Sequence, residues 1–214
     1  MSTKKRTYTT KLQDPKTGYD QYASKYDERA AFLNSFENKM ITRLAGDLTD
    51  KSVIDLGAGT GRTFDLFQKA NTLTPTTKLI AVDISPEMLK LLAKKHRKAE
   101  IIEADIQDLQ IQYDSQDIAI STFTIVHLKY PEKFFQEVYR ILKPGGFFLL
   151  TNINQRKAPK LRTDKNKEIV IQSYYHSPHN IIDLLEQNFF TIEHEEFVKE
   201  NDIWINQIIK ASKI

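Results

Sequence analysis

The 214 residues contain no cysteine. That excludes disulfides, thiolate zinc sites and any mechanism with a cysteine nucleophile, and it fits the cytoplasmic location expected for the chain. Long apolar runs are missing too, so no membrane span is expected. The opening Met-Ser-Thr-Lys-Lys-Arg has no apolar stretch, and no cleaved leader is expected. Neither sign of charge dominates: 31 Lys and Arg against 28 Asp and Glu leave +3, too little by itself to argue for nucleic acid. What remains is ordinary for one well-covered globular domain, with 40% apolar and 28% charged residues. Glycine is scarce, yet three of the seven fall at alternate positions from 57 to 61.

The rest of the chain is arranged around that stretch. Ser52 to Leu56 read as a short buried strand, apolar and β-branched. Gly57, Gly59 and Gly61 follow, and Thr60 is a candidate cap for a helix with Phe64 and Phe67 on its apolar face. Alternate glycines expose backbone N–H groups where strand turns into helix, a place where a ligand can lie. Asp55 is expected to aim its carboxylate there. A dinucleotide fingerprint would need glycine at position 62, which is Arg62. A tight turn without a ligand fits the same residues.

Further along, Lys78 to Asp83 form a second strand ending in a carboxylate. An acid about 20 residues beyond such a glycine loop accepts hydrogen bonds from ribose hydroxyls, and Asp83 fits that role. Ser85 and Pro86 open a helix as cap and first residue. His96, among Lys94, Lys95 and Arg97, reads as surface. Strand three covers about 100–104, strand four 117–122 and strand five 147–152, with a helix from Tyr130 onward ending at Lys143-Pro-Gly-Gly. Ser177 and Pro178 open another helix. Strands at about 189–198 and 203–211, joined by Lys199 to Asp202, make a closing hairpin. Strands alternating with helices imply a mostly parallel sheet.

At the N-terminus, residues 1–17 have five Lys or Arg against one acid and no hydrophobic period. They are expected to be a mobile basic tail rather than an arm for an anionic partner. A helix is expected over 29–46 with Phe32, Phe36 and Met40 on one stripe. Residues 153–170 are again basic, with Arg156, Lys157, Lys160, Arg162, Lys165 and Lys167 against Asp164 and Glu168. They are either a substrate contact or a solvated insertion.

The spacing Asp-x-Gly-x-Gly-x-Gly at 55–61 resembles motif I of the class I S-adenosylmethionine (AdoMet) methyltransferases. Asp83, Asp105-Ile106 and the Lys143–Gly146 turn match the same family, and the likeness runs over about 19–214. It implies a Rossmann-like, doubly wound, mostly parallel seven-stranded α/β sheet with a C-terminal antiparallel hairpin. Residues 18–214 would be one domain, with 18–46 as a helical lid. It also implies AdoMet as cofactor, with S-adenosylhomocysteine as product. Tyr22 and Tyr26 would close over it from the N-terminal helix. Asp55, Gly57, Ala58, Gly59, Thr60 and Gly61 would form its cradle. Asp83, Ile84 and Met88 would flank the ribose, Asp105 would sit beside the adenine amino group, and Ile106 would lie against its face. Thr122 and Phe123 would follow strand four.

A transferred methyl needs orientation above all, so a base is required only for an acceptor that must lose a proton. His127, just past strand four, and His176, after the basic loop, are the candidate bases; either could instead pack its loop. His179 is a weaker candidate and His194 reads as exposed. Ser121-Thr122-Phe123-Thr124 lacks an Asn-Pro-Pro-Tyr motif, so amide and exocyclic amino groups on glutamine or DNA are not expected acceptors. No metal-ligand spacing is evident, and no metal is expected. A small-molecule acceptor is expected first. An RNA or protein acceptor docking on the loop at 153–170, or a non-catalytic AdoMet-binding module, are the alternatives.

Overall fold

The computed structural model describes residues 11–37 and 39–214. Its frame is a seven-stranded sheet. In chain order these strands are β2 (Ser52–Leu56), β3 (Lys78–Asp83), β4 (Glu100–Glu103), β5 (Gln116–Ser121), β6 (Leu142–Ile153), β9 (Phe190–Glu200) and β10 (Ile203–Lys213). They lie side by side as β4-β3-β2-β5-β6-β10-β9, parallel except that β10 runs antiparallel to both neighbours. The expected sheet and closing hairpin are therefore present. Asn201 and Asp202 both have positive φ, 48° and 62°, which suits the two-residue turn that joins twisted antiparallel strands.

Both faces of the sheet are covered, which is why its central strands read as continuous apolar runs. Alternate residues go to opposite sides. Ile54, Ala119 and Phe148 pack under α6 (Glu132–Ile141) and α7 (Pro178–Gln187). Val53, Ile118 and Leu149 pack under α3 (Met40–Ala45) and α4 (Arg62–Lys69). Ser85 caps α5 (Pro86–Lys95), its Oγ accepting the Met88 N–H at 3.2 Å.

The N-terminal segment departs from the sequence-based expectation. Residues 11–17 are not a tail. β1 (Lys11–Gln13) pairs in parallel with β8 (Glu168–Ile171), which pairs with β7 (Lys160–Arg162) in a separate three-stranded sheet. Asp14 caps α1 (Pro15–Tyr26), accepting the Thr17 N–H at 2.9 Å. A three-residue strand has no period to read, and its partner lies more than 150 residues away. Residues 1–10, the rest of the expected tail, lie outside the described residues. α1 packs on β8 closely enough that a Cβ on Gly18 would meet Ile171 Cγ1 at 2.6 Å.

The helix expected over 29–46 is two short ones, α2 (Ala30–Ser35) and α3, separated where Lys39 takes a left-handed φ of 62°. Phe32 is exposed and Met40 buried, so they share no buried stripe. The break turns Glu37 inward, where it meets Arg62. The basic stretch at 153–170 is partly ordered as β7 and β8. No helix among the described residues is long and apolar enough to cross a membrane.

Candidate active site

The carboxyl ends of β2 to β5 converge where open α/β sheets bind ligands. The turn after β2 is held against β3: Gly57 and Ala58 donate their N–H groups to the Val82 carbonyl at 2.8 and 3.0 Å. Gly57 and Gly59 have φ of 82° and 55°, a region that favours glycine. Their surroundings differ. A Cβ on Gly57 would strike the Thr124 side chain, whereas one on Gly59 would meet nothing within 4 Å. Gly59 is thus the point where bare backbone faces open space.

That space is a cavity of about 250 Å³. Gly57 and Gly59 line its floor, Asp83, Ile84 and Met88 one side, Asp105 and Ile106 another, and Thr122 and Phe123 the end nearest β5. Asp83 Oδ2 accepts the Gly59 N–H and Oδ1 the Ser85 N–H, both at 2.8 Å. A carboxylate has about four acceptor sites, so Asp83 keeps capacity for two hydroxyl donors. Burial raises its pKa, against the Ser85 and Gly59 hydrogen bonds. Asp105 Oδ1 accepts the Gln107 N–H at 2.9 Å, and Oδ2 has no partner among the described residues. Tyr26 of α1 roofs the cavity. Ser85 Oγ donates to Asp20 Oδ1 at 2.6 Å and ties that roof to the sheet edge.

A second cavity, of about 560 Å³, lies between α1, α2 and the loop after β6. Tyr19, Tyr26, Phe123 and His127 line both cavities and form the wall between them. Phe123 holds a φ of 59°, strained for an aromatic residue, and its N–H donates to Thr151 Oγ1 at 2.9 Å. In the wall, His127 Nδ1 lies 2.7 Å from the Gln172 carbonyl. A carbonyl only accepts, so Nδ1 carries the proton and Nε2 accepts the Tyr19 hydroxyl, also at 2.7 Å. Burial lowers the His127 pKa and pushes that of Tyr19 well up, so at neutral pH both groups are uncharged.

Several expected site residues lie elsewhere. Tyr22 turns away from the first cavity and packs on Leu161, Ile169 and Ile171 of the small sheet. Ala58, Thr60 and Gly61 do not line the cavity. Thr60 does not cap α4, whose cap position is Gly61; its hydroxyl donates to Asp27 Oδ1. Asp55 shares the strand face of Val53, beneath α4, and is 1% exposed with no hydrogen-bond partner for either oxygen. Burial raises its pKa to about 7. The Thr63 hydroxyl opposes that rise, but its geometry does not complete a hydrogen bond, and burial wins. His176 is buried away from both cavities, with Nε2 donating to the Leu128 carbonyl at 2.9 Å; it ties a loop and is no base. His179 is exposed beside Asp183. His96 is not surface: it is buried on the Phe64 ring, with Nε2 2.8 Å from Asp65 Oδ1.

Three residues were not anticipated from the sequence. Tyr19 lies seven residues before Tyr26, a spacing that puts both on one helix face. Glu37 and Arg62 form a buried bidentate ion pair at 2.7 and 2.8 Å. Arg62 also donates to Asn34 Oδ1 and Thr122 Oγ1 and stacks 4.9 Å from the Phe123 ring centroid. Burial works against its charge, but Glu37 outweighs it and the pKa is raised.

Residues 54–150 match the model of a methyltransferase domain. The class I fold and the motifs at its sheet edge agree with it. Over those residues, a little under half of its length, the chain is similar to a methyltransferase domain of this fold. It is 28% identical over 146 residues to a malonyl-[acyl-carrier protein] O-methyltransferase of Marinomonas sp., covering 67% of this chain and 53% of that protein. It is 31% identical over 145 residues to a demethylmenaquinone methyltransferase of Chlamydia pneumoniae, covering 64% and 60%. The chain thus spans little more than half the length of these curated relatives. An AdoMet-dependent methyltransferase from Aquifex aeolicus has the same fold, with a TM-score of 0.68 at 17% identity, covering 90% of this chain and 98% of that one.

The Aquifex aeolicus enzyme is AdoMet-dependent, and the first cavity has the features to fit the same molecule. A Cβ-free floor at Gly59, spare acceptor capacity on Asp83, an unpartnered oxygen on Asp105, and apolar atoms from Ile84, Met88 and Ile106 match a nucleoside with a polar tail.

Proposed function

We propose that this methyltransferase moves the methyl group of AdoMet to a small-molecule acceptor seated in the second cavity. The observation that carries this reading is the shared wall: Tyr19, Tyr26, Phe123 and His127 face both spaces. An acceptor there is separated from the cofactor only by side chains that can admit a reacting atom. The names of the malonyl-[acyl-carrier protein] and demethylmenaquinone enzymes support an organic acceptor.

Bound AdoMet supplies an already activated methyl carbon. The chain's own contribution is to hold the two partners. Asp83 takes the ribose hydroxyls, Asp105 the adenine amino group, and Gly57 and Gly59 give room for close backbone approach. The roof made by Tyr19 and Tyr26 excludes water. Such positioning lowers a barrier by about 7–11 kcal/mol. Where the acceptor must lose a proton, the Tyr19 hydroxyl accepts it while passing its own to His127 Nε2. The Gln172 carbonyl then steadies the imidazolium.

The test is incubation with methyl-labelled AdoMet and separated cell fractions. Label in low-mass organic material, with S-adenosylhomocysteine formed, is the expected result. Label in RNA or protein would move the acceptor to the alternative class, and no turnover with any fraction would leave a binding module.

A further inference from the structure

The second cavity is apolar and aromatic within, but its charge is of one sign. Arg29, Arg156 and Lys157 line it, and no aspartate or glutamate does. None of the three has an ion-pair partner among the described residues, although ion pairs are common elsewhere on the surface. On the same basic stretch, Lys160 pairs with Glu168 at 2.9 Å. The cavity's three cations thus have no acid beside them to neutralise their charge.

Two of them are also held in place. The Arg156 guanidinium stacks 4.3 Å from the Tyr175 ring centroid and donates to its hydroxyl at 3.2 Å. Arg29 lies 5.2 Å from the Phe32 ring centroid and acts on Tyr19, whose pKa its charge lowers against the larger effect of burial. Stacking fixes a guanidinium without consuming its charge, and an apolar-walled cavity strengthens the field of unpaired cations. Arg156 and Lys157 follow β6, while the wall shared with the cofactor cavity is at Tyr19 and His127.

Resting on the reading of this cavity as the acceptor site, we infer that the acceptor is an apolar or aromatic molecule carrying one anionic group, carboxylate or phosphate. The anionic group sits against Arg156, Lys157 and Arg29. The ring body lies among Phe32, Phe36 and Phe123, and the reacting atom faces Tyr19.

The test uses 6-hydroxy-2-naphthoate, its uncharged amide and 2-naphthyl phosphate as probes, titrated calorimetrically into the protein saturated with S-adenosylhomocysteine. We expect the carboxylate or the phosphate to bind at least tenfold tighter than the amide, and the tighter of the two identifies the anion. The preference should fall below threefold in the double variant Arg156→Ala, Lys157→Ala, and in high salt, which screens rim charges. Equal or tighter binding of the amide overturns the inference, as does a preference unchanged in the double variant, or no binding of any probe by protein that binds S-adenosylhomocysteine. Failure to bind S-adenosylhomocysteine itself overturns the methyltransferase reading instead, so the two failures are distinct.

Discussion

Replacing Asp55 by asparagine should tilt the stability of the protein against pH. Asp55 is fully buried, without a hydrogen-bond partner, and its pKa of about 7 compares with 3.8 for an ordinary aspartate. Below pH 3.8 both folded and unfolded chains carry the proton, and the difference contributes nothing. Between 3.8 and about 7 the unfolded chain ionises while the folded one keeps its proton, so the unfolded state binds fewer protons and stability falls as pH rises. Above about 7 both are ionised and the whole penalty remains, about 4 kcal/mol for a pKa difference of about 3. Asparagine does not titrate, and its buried amide lacks partners just as the protonated Asp55 does, so these costs of about 1–3 kcal/mol offset each other at low pH. The two stability curves should therefore diverge as pH rises. Near pH 4 the variant should match the natural protein in stability, and at pH 8 it should be more stable by about 4 kcal/mol. Urea unfolding followed by circular dichroism from pH 4 to 8 measures both. Parallel curves would refute the reasoning, because they would mean that Asp55 is ionised in the folded protein throughout, the Arg62 charge, which lowers its pKa, outweighing burial.

Arg62→Met should destabilise the protein by about 3–5 kcal/mol, since it leaves Glu37 buried without its partner; adding Glu37→Gln should restore part of that in the same unfolding assay. Gly59→Ala should cost the fold about 1–2 kcal/mol for its left-handed backbone. It should weaken S-adenosylhomocysteine at least tenfold, because the new Cβ enters the cavity; melting temperature and Kd read the two effects separately. With an acceptor that must lose a proton, Tyr19→Phe should lower kcat by about 10²–10⁴ while leaving the S-adenosylhomocysteine Kd within threefold. In the proposed proton path neutral His127 takes the proton, and burial lowers its pKa below 6.5. The natural protein should therefore lose activity as pH falls through that lowered value, and the pH profile of Tyr19→Phe should lack this limb.

The sheet was legible because its strands are buried on both faces and punctuated by glycine and proline. Val53-Ile54, Ala81-Val82 and Ile118-Ala119-Ile120 announce strands whichever face each residue meets. The sheet-edge residues Asp83, Asp105 and Gly59 were legible for a related reason: each stands at a fixed offset from a strand end. What could not be read depends on distant partners. β1 exists only because β8 offers it an edge. Glu37 looks like any exposed helical acid until the chain turns at Lys39 and Arg62 receives it. His96 sits among lysines and an arginine in sequence, yet packs on Phe64. His127 and His176 looked alike; only the cavity beside one and the carbonyls around the other separate them.

The central claim is that the sheet edge holds AdoMet with Asp83 reading the ribose. Calorimetric titration of S-adenosylhomocysteine and of NAD into the natural protein and into Asp83→Ala tests it most directly. Asp83 also accepts the Gly59 and Ser85 N–H groups, so the variant should melt earlier, and the titration belongs well below its melting temperature. The account predicts binding of S-adenosylhomocysteine and none of NAD, with affinity falling by about one to two powers of ten in the variant, as expected for lost hydrogen bonds of about 1.5–3 kcal/mol to a charged group. Binding of NAD without S-adenosylhomocysteine, or unchanged affinity in a variant of lowered melting temperature, would contradict it.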